Sequence, residues 1–195
     1  MKHYLILSIV FLLMLGLTSC KKNNNPVDNS NNPTSQIFPL AVGNEWVIQV
    51  INYDTTGSIF NTKMDTIKIL RDTTIQSEKW FIGFGIITNR SDGLYDLQSG
   101  TTNEISLKYK FPATVNSNYT YRGMQTTVLG VSDTVSVFAG NYVCYHYRQG
   151  ITGVSYNEWY CAPNVGLVKG NYYNQLASGG VYRYLSYSLI KVVLK

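Results

Sequence analysis

The chain has 195 residues, of which 45% are hydrophobic and 14% are charged. This composition provides enough apolar side chains for a packed core and excludes a wholly disordered chain. The low share of charged residues and the 16 tyrosines favour β-structure over charged helices. The net charge of +5 comes from scattered residues without a basic stripe among the aromatic ones, which argues against a nucleic-acid partner.

The first 20 residues have the pattern of a bacterial secretion signal. Lys2 precedes an apolar run over 5–17, which is shorter than the roughly 20 residues that a membrane-spanning helix needs. The run leads into Leu17-Thr18-Ser19-Cys20, which resembles the lipobox of bacterial lipoproteins. The resemblance implies cleavage before Cys20 and lipidation of that cysteine. We therefore expect residues 1–19 to be a lipoprotein signal peptide.

A polar segment follows the candidate lipidation site. Residues 21–36 include six asparagines and two prolines, and they bring almost no apolar surface to bury. We expect 20–36 to be the lipidated cysteine and a flexible tether, and 37–195 to be a single domain. The acyl chains would anchor the protein to a membrane. Lysine and asparagine follow Cys20, whereas surface-displayed lipoproteins of Bacteroidota often carry acids there, so we expect the outer membrane with the domain facing the periplasm.

From residue 37 onward, apolar residues recur with the period of two that is typical of strands. Trp46, Ile48 and Val50 share one side of such a strand, and the run 80–86 places large apolar residues on one face and two glycines on the other. Frequent turn signals between short runs favour antiparallel pairing. We predict an all-β domain with eight to eleven strands in a single strongly curved antiparallel meander sheet, barrel-like or half-barrel. A two-sheet sandwich is the alternative.

Three segments resemble those of uncharacterised Bacteroidota-type envelope lipoproteins. Residues 38–46 match the opening F-P-L-x-x-G-N-x-W, residues 137–144 match a hairpin with V-x-A-G-x-[FY]-x-C, and 162–169 match A-P-G-V-G-L-V-K except that Asn164 replaces glycine. The resemblance implies an all-β, lipid-anchored envelope protein. Because the family has no established activity, it implies no catalytic residues.

The same motifs have a structural interpretation. We expect Phe38 and Trp46 to be core residues on either side of a turn at 43–44. Asparagine and glycine both tolerate a positive φ, so we expect Asn164 to preserve the turn of the third segment. Gly166 is expected to permit close packing.

Cys144 and Cys161 remain after lipidation of Cys20, and an envelope compartment permits a disulfide between them. Whether the two cysteines can pair depends on the length of the hairpin loop that joins their strands. A two-residue loop would place the two cysteines opposite each other, within reach of a disulfide. A three-residue loop at 151–153 would instead place Cys144 opposite Tyr160. The sequence leaves both alternatives open.

Motifs for catalysis are not found in the sequence. His146, the only histidine after the signal peptide, lies between two tyrosines in a predicted strand. The G-x-S-x-G, H-E-x-x-H and Walker patterns are missing, and one histidine with two cysteines makes a poor zinc site. We predict no catalytic residue, no metal site and no cofactor.

The remaining candidate sites concern the surface. Asp-Thr triplets that resemble O-glycosylation sites of Bacteroidota envelope proteins mark Thr55, Thr66, Thr73 and Thr134. The candidate ligand-contacting aromatic residues are Tyr145, Tyr147, Trp159 and Tyr160, because amphipathic rings suit glycan or protein partners. We predict a non-enzymatic binding or scaffolding module of unknown specific activity. The alternatives are a periplasmic carrier of a hydrophobic ligand and an unrecognised hydrolase.

Overall fold

The computed structural model describes residues 35–98 and 104–195. The predicted signal peptide, Cys20 and most of the tether lie outside the described residues. The strands are β1 (Glu45–Tyr53), β2 (Ile59–Lys68), β3 (Arg71–Ile75), β4 (Glu78–Ile82), β5 (Ile86–Arg90), β6 (Gly93–Leu97), β7 (Ile105–Lys110), β8 (Asn118–Tyr121), β9 (Met124–Val137), β10 (Gly140–Ile151), β11 (Ser155–Ala162), β12 (Gly166–Gln175) and β13 (Val181–Val193). The described residues contain no helix, so none of them forms a membrane-spanning helix. The all-β prediction is confirmed, with more strands than expected.

The strands form two antiparallel sheets. An eight-stranded sheet has the order β2-β1-β13-β12-β11-β10-β9-β8, and a five-stranded sheet has the order β3-β4-β5-β6-β7. The fold is therefore the two-sheet form of the predicted class, and neither sheet closes into a barrel. Most sequence neighbours pair directly, as expected for a meander, but β13 inserts between β1 and β12.

The eight-stranded sheet is strongly curved, as predicted. The backbone N–H of Ala139, at the turn between β9 and β10, donates a hydrogen bond to the carbonyl of Leu189 in β13. In the order of the sheet, β10 and β13 are separated by β12 and β11. Bulges in β9 and β13 bend these strands and favour this approach.

The core lies between the two sheets. Tyr147 and Trp159 of the eight-stranded sheet pack against Tyr109 of the five-stranded sheet, with ring centroids 5.3 Å and 5.9 Å from that of Tyr109. Residues that alternate with these point to the opposite side. We call that opposite side of the eight-stranded sheet the open face.

The segment before β1 is held by the turn between β11 and β12. Phe38 and Trp46 are 2% and 1% exposed, with ring centroids 5.2 Å apart, which confirms them as core residues. The Trp46 indole Nε1–H donates to the carbonyl of Val165 at 2.6 Å. Asn164 has a φ of +59°, so the predicted turn is preserved, and its side chain accepts a hydrogen bond from the Gln36 backbone N–H.

The apolar run 80–86 is divided between two strands rather than forming one, which corrects the expectation from the sequence. β4 ends at Ile82 and β5 begins at Ile86, with a turn closed by the Gly83 N–H and the Gly85 carbonyl at 3.0 Å. A Cβ on Gly83 would lie 2.6 Å from the carbonyl oxygen of Lys68. The close approach of this neighbouring backbone explains the glycine.

Candidate functional site

Three of the four predicted ligand-contacting aromatic residues belong to the interior. Tyr147 and Trp159 are buried in the core, and Tyr145 packs edge-on against Phe111 with ring centroids 5.0 Å apart. Only Tyr160 lies on the open face, where it stacks on a histidine. The placement of the other three gives no support to a ligand-contacting role.

A row of polar residues crosses the middle of the open face. Glu158 in β11 lies opposite Asn171 in β12, which lies opposite Ser186 in β13. Their exposures are 8%, 5% and 5%, although no strand of the five-stranded sheet covers this side. We call this row, together with the side chains that flank it, the open-face groove.

Aromatic and cationic side chains form one wall of the groove. Tyr156 and Tyr173 are cross-strand neighbours whose rings stack at 4.5 Å. The guanidinium of Arg148 lies 5.1 Å from the Tyr156 ring, and that of Arg183 lies 4.3 Å from the ring of Tyr53. Such cation–π contacts hold the rings and the guanidinium groups in defined positions.

The second wall is built around His146. Its ring stacks on that of Tyr160 at 4.2 Å, and Lys169 lies opposite Tyr160 in the next strand. The His146 Nδ1 atom lies 3.2 Å from the Asp133 carboxylate, and Nε2 lies 3.8 Å from Glu158. The histidine is therefore placed between two carboxylates at the edge of the groove.

Asp133 reaches this position because Gly130 has no side chain. Gly130 lies opposite His146 in the register of β9 and β10, and the Asp133 carboxylate occupies the space that a Cβ on Gly130 would need. The irregular register of β9 near this point places Asp133 beside His146.

Glu158 and Arg148 form an ion pair across β10 and β11. The Nε and Nη2 atoms of Arg148 donate to one carboxylate oxygen of Glu158, at 3.0 Å and 2.6 Å. His146 and Arg148 together hold the pKa of the Glu158 carboxyl below its ordinary value, against the opposing effect of burial. Glu158 is therefore a carboxylate at neutral pH, and its charge is balanced within the groove.

Two buried polar atoms of the groove have no hydrogen-bond partner. They are Oδ1 of Asn171 on the floor and Nε2 of His146 on the wall. A buried polar atom without a partner costs about 1–3 kcal/mol. Both atoms are buried, and Nε2 of His146 faces the Glu158 carboxylate at 3.8 Å.

The described residues place no hydroxyl or thiol nucleophile beside His146 in the groove. Among the described residues, the charged partners of His146 are carboxylates, and no hydrogen bond joins it to a serine, threonine or cysteine. Nucleophilic catalysis needs such a hydroxyl or thiol beside the base. No group of three metal-binding side chains suited to a metal ion is found in the described part of the chain.

Both remaining cysteines are free and buried in the core. The structure forms neither of the two expected pairings, because the hairpin loop consists of 152–154 and places Cys161 opposite Tyr145. Cys144 therefore faces neither Cys161 nor Tyr160 across the strands. A change of one residue in register moves a side chain to the other face of the sheet, which explains why the loop decides the pairing.

The predicted glycosylation sites are accessible to different degrees. Thr55, Thr66 and Thr134 are exposed, whereas Thr73 is half-buried in β3. Modification of these residues stays a prediction, as does lipidation of Cys20.

Most residues of the groove were not identified as candidates from the sequence. Arg148, Glu158 and Asn171 lie in three different strands, and only the register brings them together. The one available signal was charge: Arg148 and Glu158 carry opposite charges on either side of a predicted hairpin turn. A hairpin loop of three residues at 152–154, had it been predicted, places Arg148 and Glu158 opposite each other.

Comparison with solved structures finds two remote similarities. The first is with a candidate lipoprotein from Parabacteroides distasonis, at 14% identity and a TM-score of 0.45, over 82% of this chain and 99% of that one. The second is with a candidate exported protein with a YmcC-like fold from Bacteroides fragilis, at 12% identity and a TM-score of 0.42, over 82% of this chain and 100% of that one. No family model and no curated protein matches the sequence.

Proposed function

We propose that the protein is a lipid-anchored component of the bacterial envelope whose open-face groove binds an envelope glycan, as a binding module rather than an enzyme. The observation that carries this proposal is the polar floor of Glu158, Asn171 and Ser186 between two aromatic walls. Aromatic rings offer apolar faces to the C–H groups of a sugar, while floor groups exchange hydrogen bonds with its hydroxyl groups.

The unpartnered atoms of the groove support a ligand with hydroxyl groups. Oδ1 of Asn171 accepts hydrogen bonds, and a ring nitrogen of His146 donates or accepts them according to its tautomer. A hydroxyl group does both, so it complements each atom. The paired charges of Arg148 and Glu158 leave the middle of the groove without a strong field of either sign, which suits the uncharged hydroxyl groups of a glycan.

The anchoring part of the proposal rests on Cys20 and the lipobox before it. More than one acyl chain gives stable attachment to a membrane, and each buried CH₂ contributes about 0.8 kcal/mol. The polar tether that follows would let the domain reach away from the lipid surface. Our proposed location is the outer membrane, with the domain facing the periplasm and the envelope glycans.

No specific observation favours the carrier or the hydrolase, the two alternative functions. A carrier of a hydrophobic ligand needs an empty apolar interior, whereas Trp46, Tyr147 and Trp159 fill the space between the sheets. A hydrolase of the serine, threonine or cysteine type needs a hydroxyl or thiol nucleophile beside His146, whereas the described ionic neighbours of that residue are carboxylates. A protein partner in place of a glycan would use the same rings and is distinguished by experiment.

Binding to purified envelope glycans tests the proposal. Peptidoglycan sacculi and immobilised lipopolysaccharide serve as probes for the chain purified in detergent. We expect retention on one of them, and we expect Y173A to reduce the bound fraction at least fivefold because it removes half of the stacked pair. Y95A is the matched control, since Tyr95 is a half-buried tyrosine of the five-stranded sheet. No retention of the wild type, or equal retention of Y173A, would refute the proposal.

A further inference from the structure

Strand β2 is the least protected element of the fold. It forms one edge of the eight-stranded sheet and pairs only with β1. Nine of its ten residues are exposed, and Ile67 is the exception. The exposed residues include Ile59, Phe60 and Met64, which are 59%, 68% and 58% accessible to solvent.

The outer edge of β2 has no partner strand, although at its last residue the Lys68 carbonyl packs against Gly83. Such an edge is a template for pairing with another chain, and proteins usually shorten it, cover it or interrupt it with proline. β2 contains no proline. It carries two lysines, which ordinarily discourage pairing, but the positions of its charges change that effect.

The sequence of β2 is complementary to itself in one antiparallel register. If Met64 lies opposite Met64 of a second copy, Lys63 lies opposite Asp65 of that copy and Asp65 opposite its Lys63. Facing residues of an antiparallel pair lie on the same face, so two cross-strand ion pairs form. In the single chain, Lys63 and Asp65 have only a loose contact with each other at 3.9 Å, and both side chains are more than half exposed.

The remaining pairs of this register are also favourable. Thr62 lies opposite Thr66, which allows a contact between their hydroxyl groups. Phe60 lies opposite Lys68, which allows a cation–π contact. A two-fold axis through the Met64 pair repeats each of these contacts. Lys63 and Asp65 then each have an oppositely charged neighbour on the second copy, while Lys68 keeps Glu45 of its own chain at 3.8 Å.

We propose that two copies of this protein associate through antiparallel pairing of their β2 strands, about a two-fold axis at Met64. The two eight-stranded sheets join into one continuous sheet of sixteen strands. Because facing residues share a side, both open faces lie on the same side of this sheet. The pairing is independent of the ligand of the groove.

A glycan at Thr66 would prevent this association, since Thr66 lies within the paired strand. Modification of Thr66 and β2 pairing therefore exclude each other in the same molecule. The sample used for the test is the chain purified in detergent, with Thr66 shown to be unmodified by mass spectrometry.

Charge reversal gives a test that is specific to the register. In K63D, two contacts between carboxylates replace the ion pairs, and in D65K two contacts between ammonium groups replace them. Sedimentation velocity over a range of concentrations should show a weak dimer for the wild type and at least a tenfold weaker one for each variant. An equimolar mixture of K63D and D65K restores both ion pairs, so we expect it to form the dimer again, as does the K63D/D65K double variant.

Each other outcome overturns the proposal. A wild-type monomer at all concentrations shows that the edge is not used for self-association. A dimer that both single variants retain shows association through another part of the chain, including the N-terminus. Loss of the dimer in the single variants without recovery in the mixture contradicts the register. Because Lys63 and Asp65 are both exposed, we expect the variants to fold, and circular dichroism checks that they do.

Discussion

The ring of Phe38 packs directly on the backbone of Gly166, so closely that a Cβ at position 166 would lie 2.7 Å from two of its ring carbons. The two residues are far apart in sequence, and both belong to segments that stood out as motifs. Trp46 strengthens the same contact through its 2.6 Å hydrogen bond to Val165. The motifs therefore describe one structural junction, where the chain enters the fold and meets the turn before β12.

Substitution of Gly166 tests this junction. We expect G166A to lower the free energy of unfolding by about 2 kcal/mol or more, since the methyl group meets Phe38 and the φ of +93° disfavours alanine. G57A is the matched control, because Gly57 has a φ of +86° and open space around it. It should lose only about 1 kcal/mol from backbone strain. Urea unfolding measures both, and equal losses would contradict the packing argument.

The charge of Glu158 predicts a pH dependence of stability. Its pKa in the folded protein lies below the ordinary value of 4.5, so its contribution is present above about pH 4.5 and is lost as the pH falls through the lower folded value. E158Q removes the titrating group. We expect the free energy of unfolding to decrease less steeply for E158Q than for the wild type below about pH 4.5.

Urea unfolding at several pH values between about 3 and 6 measures how steeply the free energy of unfolding changes with pH in the wild type and in E158Q. Other carboxyl groups with lowered pKa values, such as Asp72 and Glu78, contribute equally to both proteins and cancel in the comparison. Parallel curves for the two proteins would show that Glu158 is not stabilised by its neighbours.

The two core thiols should be unreactive in the folded protein. Burial, with a smaller effect of Asp133, raises the pKa of Cys144 to about 12, and burial raises that of Cys161 well above its ordinary value. Because the thiolate is the reactive form, a thiol reagent at about pH 8 should modify a C20S chain only slowly. After unfolding in urea, both thiols of each chain should react within minutes. Fewer reactive thiols would indicate the disulfide that the structure does not contain.

Lipidation of Cys20 predicts a defined processing behaviour. Globomycin, which inhibits the lipoprotein signal peptidase, should cause the precursor to accumulate. Mass spectrometry of the mature N-terminal peptide should find a chain that begins at Cys20 and carries acyl groups. C20A should remain unprocessed at this site. An unmodified Cys20, or an intact Met1, would remove the basis for the proposed location.

Much of the strand pattern followed from local sequence, but the groove did not. The alternation of Trp46, Ile48 and Val50 correctly marks the buried side of β1, because the side-chain period of a strand is a local property. The prediction of one continuous strand face over 80–86 is wrong because the alternation of side chains continues through a turn. There, contact with the backbone of Lys68 rather than local preference determines where the strand ends.

Local sequence was sufficient for the β-rich class, the turns at Gly43 and Asn164 and the core positions of Phe38 and Trp46, since each depends on side-chain size or on backbone freedom nearby. Which strands are neighbours, and in which register, followed only from the packing of the whole chain. The three-residue loop at 152–154 sets Arg148 opposite Glu158, and the placement of β12 adds Asn171. Register depends on the summed fit of whole strands, so residues distant in sequence meet only once the sheet has formed.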